Sequence, residues 1–397
     1  MLSIPIIAHP EDVEWFLPPS KSHMIRWIAL SSQCKSSTRL SFQGIPGSDV
    51  VSMANCMEEL GASIEKGPEN WVIRGNRDGL HPPKRTLDCG NSATAAKILT
   101  AIVACFDSPV SIDGDASLRK RDFAHLISSL RDLGCEVSSE GLPYSITGPI
   151  SRGWTRIDES VSSQTVSGMV LSSPGFESEV EVEMIGVAVS RWYRELTIEI
   201  SKDCGWPGSY GKKMSLSAWD VETPENVEIP PEISLLPISI LFDKLHGTRS
   251  MSGNLTNIPR PIMEAIGLVS LDNKEVDLRD SSDIIAPCAA IMALGRGGEI
   301  VGASHARGKE SDRISSTVRM LASFGMEASE TSAGLSVPGG QDPSTPENVV
   351  DCELDHRLAM TAGVLATRVG ATLSGYEICR VTHPGFFEMI LGHYEGL

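Results

Sequence analysis

Apolar positions along the chain fall into two recurring patterns. The first is an amphipathic helical stretch that ends in Gly and runs into a β-like segment: MEELGASI, LRDLGCEV, SKDCGWPG, MEAIGLVS, LASFGMEA and MILGHYEG. Their glycines, Gly61, Gly134, Gly205, Gly267, Gly325 and Gly392, are separated by 73, 71, 62, 58 and 67 residues. A Gly just past a helix supplies a left-handed cap, so one copy says little. Six copies at similar spacing predict a repeat of about 65 residues.

The second pattern is an Ala-rich apolar helix: SKSHMIRWIALSS, GNSATAAKILTAIVA, SSQTVSGMVLSSP, PPEISLLPISILF, SSDIIAPCAAIMALG and LDHRLAMTAGVLATR. Each opens with Ser, Asn, Asp or Pro near its start, which is N-cap and first-turn chemistry. Between the helices, NWVIRG, YSITG, ELTIEI and GLSVPG alternate in the manner of half-buried strands. Each unit therefore reads as two helices with three or four strands, and three units make a domain of ordinary size. The Pro-rich, acidic stretch ETPENVEIPP, Glu222 to Pro231, reads as a linker. The expected domains are 18–228 and 229–397, the second completed by the N-terminal strand within 1–17.

Length agrees with two domains, because 397 residues exceed the ~250–300 at which a single core stops growing. The nine cysteines stand singly, without a CxxC pair or a Cys/His cluster at zinc spacing. Structural metal and disulfides are therefore not expected, and a reducing, cytoplasmic setting is. No basic leader and no apolar run of ~18 residues predicts secretion or membrane insertion. With 34 basic and 51 acidic residues, the net charge of −17 opposes loose binding of nucleic acid or anionic lipid. An anionic ligand must then be held by a local group of cations.

Candidate groups of that kind lie at helix N-termini, where unpaired N–H groups and the positive dipole end attract anions. Lys21, Asn91, Ser163, Asp283 and His356 occupy matching places in different repeats. In SKSHMIR, Ser22 and Arg26 lie one helical turn apart with Lys21 at the mouth, which fits a capped helix or an anion site. Arg119, Lys120 and Arg121 cluster at a helix start, as a solvated face or a phosphate site. GKESDR places Lys309, Glu310 and Arg313 together, as a surface ion pair or as an acid/base in an anion site. Asp355, His356 and Arg357 open another helix, and Ser162, Ser163 and Gln164 supply short hydrogen-bonding groups. P-loop, dinucleotide, HExxH and GxSxG motifs do not occur.

PSKSHMIR, GNSATAAK, SLRKRDFAHLISSLRDLG, SVSSQTVSGMV, GKESDRI, LDHRLAM and THPGFFEM, in this order, resemble the 5-enolpyruvylshikimate-3-phosphate (EPSP) synthase family. The resemblance implies an α/β fold, a two-domain inside-out α/β barrel with three βαβαββ units per domain. It implies enolpyruvyl transfer from phosphoenolpyruvate to the 5-hydroxyl of shikimate 3-phosphate through a tetrahedral ketal, with release of phosphate. No metal or cofactor is implied, and the partners are the two small substrates. A cytoplasmic monomer is expected.

By motif position, the resemblance assigns phosphoenolpyruvate to Lys21, Asn91, Ala93, Arg121, Gln164, Arg313 and Arg357. It assigns shikimate 3-phosphate to Lys21, Ser22, Arg26, Ser162, Ser163, Gln164, Ser190, Tyr193, Asp283 and Lys309. Proton transfer falls to Glu310 and Asp283, with Lys21 as participant. The family's Gly-Asn-Ala-Gly-Thr reads Gly-Asn-Ser-Ala-Thr here, which places Ala93 where a Gly next to the inhibitor glyphosate is usual. The fourth repeat, VEIPPEISLLPIS, departs from the family's Gly-Asp-Ala-Ser-Ser-Ala, so its polar lining is expected to be largely lost. A basic residue usual in the sixth repeat is Val381 here, with Arg380 beside it as the expected substitute.

Three rivals follow. The UDP-N-acetylglucosamine enolpyruvyl transferases of the same fold show Lys-Asn in place of Lys21-Ser22 and a reactive loop Cys where Arg119 to Arg121 stand. An RNA-processing enzyme on related repeats needs a basic groove, which the net charge opposes. A non-catalytic relative binding a phosphorylated metabolite would account for the altered repeats.

Overall fold

One pairing order recurs in the five sheets formed by the residues that the computed structural model describes, 1–151, 153–249, 260–270 and 273–392. The chain divides into a unit Pro19–Pro231 and a unit that joins Met1–Pro18 to Glu232–Leu397. In the first unit, Leu87–Asp88 runs parallel to Val110–Asp113, and Tyr144–Thr147 and Glu136–Val137 follow antiparallel. Asn226–Glu228, Ser37–Ser41, Asn70–Arg74 and Ser63–Lys66 repeat that order, the first strand arriving from the far end of the unit. Trp154–Asp158, Val180–Ile185 and Lys213–Leu216 form a parallel and then an antiparallel pair.

The second unit shows the same two forms. Glu275–Asp277, Gly297–Val301, Leu335–Pro338 and Ser329–Glu330 make the four-stranded one. Val350–Asp351 and Ala371–Ser374 run parallel, and the N-terminal strand Leu2–Ile4 completes that sheet antiparallel, with Leu2 opposite Leu373. Buried and exposed positions alternate along these strands: Val180, Val182 and Met184 are buried while Glu181 is exposed, as a sheet with one face on the core requires.

Core helices come from the Ala-rich pattern. Ile285–Leu294 buries every residue from Ile285 to Ala293, the state expected of a helix apolar on all sides. In the other unit, Ala93–Val103 lies against Gln164–Ser172, and Gly168 sets their separation. A Cβ on Gly168 would stand 3.1 Å from the Lys97 carbonyl oxygen and 3.3 Å from Ala101 Cβ.

Three sequence expectations change. ELTIEI is not a strand: Glu195–Ile200 lies inside the helix Arg191–Asp203, whose buried residues Leu196, Thr197, Ile200 and Ser201 follow helical spacing. Gly267 is no cap, because the helix Arg260–Ser270 runs through it. Its buried Ile262, Ala265, Ile266 and Val269 carry the apolar face past the glycine. The other five repeat glycines all have positive φ, from +66° to +107°, and the part of the last copy beyond Gly392 lies outside the described residues. The Glu222–Pro231 segment is more than a linker, since Asn226–Glu228 pairs with Arg39–Ser41.

Candidate active site

The residues singled out at helix starts sit where that reading put them. Lys21 and His356 are the first residues of Lys21–Ser31 and His356–Val369, and Ser163 is the N-cap of Gln164–Ser172. Asn91 and Asp283 lie two residues before Ala93–Val103 and Ile285–Leu294. Ser92 caps its helix by accepting from the Ala95 amide, and Asp355 caps His356–Val369 by accepting from the Arg357 amide.

In the unit Pro19–Pro231 these side chains form three sets. Lys21 Nζ lies 3.0 Å from Asp49 Oδ2. Arg121 donates through Nη2 to Asn91 Oδ1 at 2.9 Å, and Asn91 donates through Nδ2 to Asp115 Oδ2 at 2.8 Å. Arg119 turns away to pair with Asp113 at 2.6 Å, so the basic run does not act as one cluster. Its residues sit on the 3-10 turn Leu118–Lys120 and at Arg121, ahead of the helix Ala124–Asp132. Gln164 Nε2 donates to Thr94 Oγ1 at 2.8 Å, and the Gln164 amide donates to Ser162 Oγ at 3.1 Å. Ser163 and Ala93 are buried.

Arg26 is 1% exposed and, among the described residues, donates only to neutral acceptors. These are Thr197 Oγ1 at 2.7 Å, the Ser22 carbonyl at 2.9 Å, the Tyr193 carbonyl at 2.8 Å and Ser167 Oγ at 3.5 Å. Among the described residues no carboxylate pairs with it, and burial lowers its pKa to about 10. A buried cation without a counter-charge is costly unless an anion joins it. Beside it, His23 bonds Ser20 Oγ at 2.9 Å, and burial followed by the Arg26 charge pushes its pKa down to about 3, so it is neutral at pH 7. Ser190, the N-cap of Arg191–Asp203, holds a left-handed backbone at φ 51°.

The second unit gathers its candidates around Arg313, which is fully buried. Arg313 donates to Asp283 Oδ1 at 2.8 Å through Nη1, to Glu310 Oε2 at 2.5 Å through Nη2, and to Asp355 Oδ2 at 2.9 Å through Nε. Burial works against its charge, yet Asp355, Glu310 and Asp283 together raise its pKa. Lys309 Nζ lies 3.7 Å from Asp283 Oδ1. Lys309 and Arg313 do not share a helical turn, because the helix begins only at Arg313, capped by Asp312. Asp283 brings them together instead.

Arg357 is 3% exposed. It donates to the Ser234 carbonyl at 2.7 Å, to Ser234 Oγ at 2.6 Å and to His356 Nε2 at 3.1 Å. Ser234 Oγ in turn donates to Glu232 Oε1 at 2.5 Å. The fourth repeat therefore keeps a buried polar pair, Glu232 and Ser234, a correction to the expected loss. Arg380 is exposed and its neighbour Val381 is buried.

Among the residues that the sequence reading gave no role, Asp49, Thr94, Asp115, Ser167, Thr197 and Ser234 stand in contact with the candidates. His305, also without an assigned role, is half-buried, with neither ring nitrogen hydrogen-bonded among the described residues. Burial, then the Lys309 charge, lowers its pKa to about 4. Its place four residues before Lys309 was the available signal. Among the described residues no group of His, Cys, Asp or Glu is arranged to hold a metal ion, and no helix is long and apolar enough to cross a membrane.

A family model described as EPSP synthase (3-phosphoshikimate 1-carboxyvinyltransferase) matches residues 14–229 and 244–390. The chain is 29% identical to the 3-phosphoshikimate 1-carboxyvinyltransferase of Methanocorpusculum labreanum, covering 93% of each chain. It is 26% identical to that of Methanothermobacter thermautotrophicus, covering 94% of each. In fold it is similar to a solved EPSP synthase from Acinetobacter baumannii, with a TM-score of 0.75 at 22% identity over 100% of this chain and 98% of the other.

Proposed function

The chain belongs to the EPSP synthase family, and from that premise we propose that it transfers the enolpyruvyl group of phosphoenolpyruvate to the 5-hydroxyl of shikimate 3-phosphate, releasing phosphate. The observation that carries this reading is Arg313 held between Asp283, Glu310 and Asp355 with Lys309 beside Asp283. That arrangement sets a buried guanidinium fork next to two partly exposed carboxylates. A phosphate or carboxylate bound there would take over guanidinium donors now given to Asp283 and Glu310, and the carboxylates suit proton transfer.

Shikimate 3-phosphate is held by Lys21, Ser22, Arg26, Ser162, Ser163, Gln164, Ser190, Tyr193, Asp283 and Lys309, and the uncompensated charge of Arg26 supports an anion at that place. Phosphoenolpyruvate is held by Lys21, Asn91, Ala93, Arg121, Gln164, Arg313 and Arg357. In the first step the 5-hydroxyl oxygen bonds to C2 of phosphoenolpyruvate while Glu310 protonates C3, and the hydroxyl proton passes to Asp283, with Lys21 stabilising the charge. In the second step a C3 proton returns to Glu310, the double bond re-forms, the C2–O bond to phosphate breaks, and the proton held by Asp283 passes to the departing phosphate. The recurring sheet order supports the finer fold reading, an inside-out α/β barrel with two three-unit domains, 18–228 and 229–397 with 1–17. The enzyme acts as a cytoplasmic monomer without metal or cofactor.

Phosphate release measured with both substrates, and with each alone, tests the reading. Phosphate should appear only with both present. Release from phosphoenolpyruvate alone at the same rate would overturn it.

A further inference from the structure

Near the proposed shikimate 3-phosphate residues, a second buried charge network plays no part in the mechanism above. Arg194 and Glu159 have side chains 6% and 5% exposed, and Arg194 Nη1 donates to Glu159 Oε1 at 2.6 Å. Tyr210 donates its hydroxyl to Glu159 Oε2 at 2.6 Å, and the Arg194 guanidinium lies 4.0 Å from the Tyr210 ring centroid. Burial, then the bond to Glu159, pushes the Tyr210 phenol up to about 12, so it keeps its proton and serves as a donor. Among the described residues Arg194 has one further acceptor, the exposed Glu195, at 3.5 Å.

The placement of the three residues gives the network a task. Glu159 follows the strand Trp154–Asp158 and precedes Ser162 and Ser163 by three and four positions. Its amide donates to the Ile185 carbonyl at 3.0 Å, and its carbonyl accepts from the Val189 amide at 3.0 Å. Glu159 thus closes the loop 186–188 at both ends and delivers the chain to Ser190, a non-glycine residue at φ 51°. A left-handed backbone at a side-chain-bearing residue is held only where its surroundings over-determine it. Arg194 sits four residues later, in the first turn of Arg191–Asp203, next to Tyr193. The Tyr193 carbonyl accepts from Arg26 at 2.8 Å.

We propose that Glu159, Arg194 and Tyr210 are positioning residues for the shikimate 3-phosphate site, fixing Ser190, Tyr193 and, through the Tyr193 carbonyl, Arg26 relative to Ser162 and Ser163. This rests on the function proposed above. A buried ion pair is weak evidence for stability, because desolvation consumes most of its Coulombic gain, whereas a pair that locks the geometry of a binding corner has a reason to be kept. The groups that hold a ligand must themselves be held, to within about half an ångström.

The test compares wild type with Tyr210→Phe, Glu159→Gln and the double variant, measuring kcat, KM for each substrate and the melting temperature. Tyr210→Phe removes one hydroxyl and keeps the ring under Arg194, so it decides the matter even if Glu159→Gln fails to fold. KM for shikimate 3-phosphate should rise at least fivefold in Tyr210→Phe and further in Glu159→Gln, with KM for phosphoenolpyruvate and kcat within about twofold of wild type. The double variant should lose less than the product of the two single losses, because both changes act on one carboxylate. A lower melting temperature with both KM values unchanged, or an equal rise in both, overturns the proposal and leaves the network structural. Wild type that releases no phosphate with both substrates overturns the functional reading, and this inference with it.

Discussion

Arg313 and Asp355 form a two-point contact, with Nε donating to Oδ2 at 2.9 Å and Nη2 to Oδ1 at 3.2 Å, and neither side chain is exposed. Asp355 also caps the helix that starts at His356. Removing one partner of such a pair leaves the other charge buried and costs about 3–5 kcal/mol. Asp355→Ala should therefore shift the unfolding midpoint strongly. Asp355→Asn retains one cap oxygen, should be milder in stability, and should still raise KM for phosphoenolpyruvate at least tenfold by loosening Arg313. An unchanged KM in a folded Asp355→Asn protein would remove Arg313 from the phosphoenolpyruvate site.

Glu310→Gln preserves shape and removes a proton-transfer group worth roughly 10²–10⁴-fold. Turnover should fall at least tenfold more than affinity for shikimate 3-phosphate. Equal losses in turnover and affinity would return Glu310 to the role of an ion-pair partner for Arg313.

Stability should depend on pH through His383, which is 2% exposed. Burial lowers its pKa to about 4, an effect only partly offset by its bond to the Phe16 carbonyl. In the unfolded chain the same group titrates near about 6.5. Between those values the unfolded state binds a proton that the folded state refuses. The stabilisation is therefore complete above about pH 6.5 and declines on acidification towards pH 4, by up to about 1.4 kcal/mol per pH unit. Melting temperatures of wild type and His383→Gln over this range should converge as pH falls. Parallel curves would show that His383 does not titrate this way.

Ala93 is the first residue of Ala93–Val103, buried behind the Ser92 cap. If its methyl group occupies space needed by glyphosate, the overlap costs ~1–3 kcal/mol. Ala93→Gly should bind glyphosate several-fold more tightly with little change in affinity for phosphoenolpyruvate. Indistinguishable inhibition constants would leave Ala93 with a helix-forming role alone.

What the sequence made legible was local. Helix starts at Ala93 and His356 follow from the caps Ser92 and Asp355, and five repeat glycines take the left-handed backbone their position requires. Partners distant in sequence were not legible: Asp49 is 28 residues from Lys21, and Asp355 is 42 from Arg313. Nothing in local spacing records such pairs. ELTIEI was misread because Leu196, Ile198 and Ile200 alternate over a stretch too short to separate period 2 from period 3.6. The fourth repeat looked stripped because its apolar residues outnumber Glu232 and Ser234, whose contact with each other and with Arg357 exists only in the folded unit.

The proposed transfer breaks the C2–O bond of phosphoenolpyruvate, whereas a phosphatase breaks the P–O bond. Phosphoenolpyruvate carrying oxygen-18 at the bridging position therefore separates the two directly. With shikimate 3-phosphate present, the account predicts that the label leaves in phosphate while the enolpyruvyl group appears as an enol ether on the 5-oxygen. Unlabelled phosphate, with the label retained in pyruvate, would contradict it.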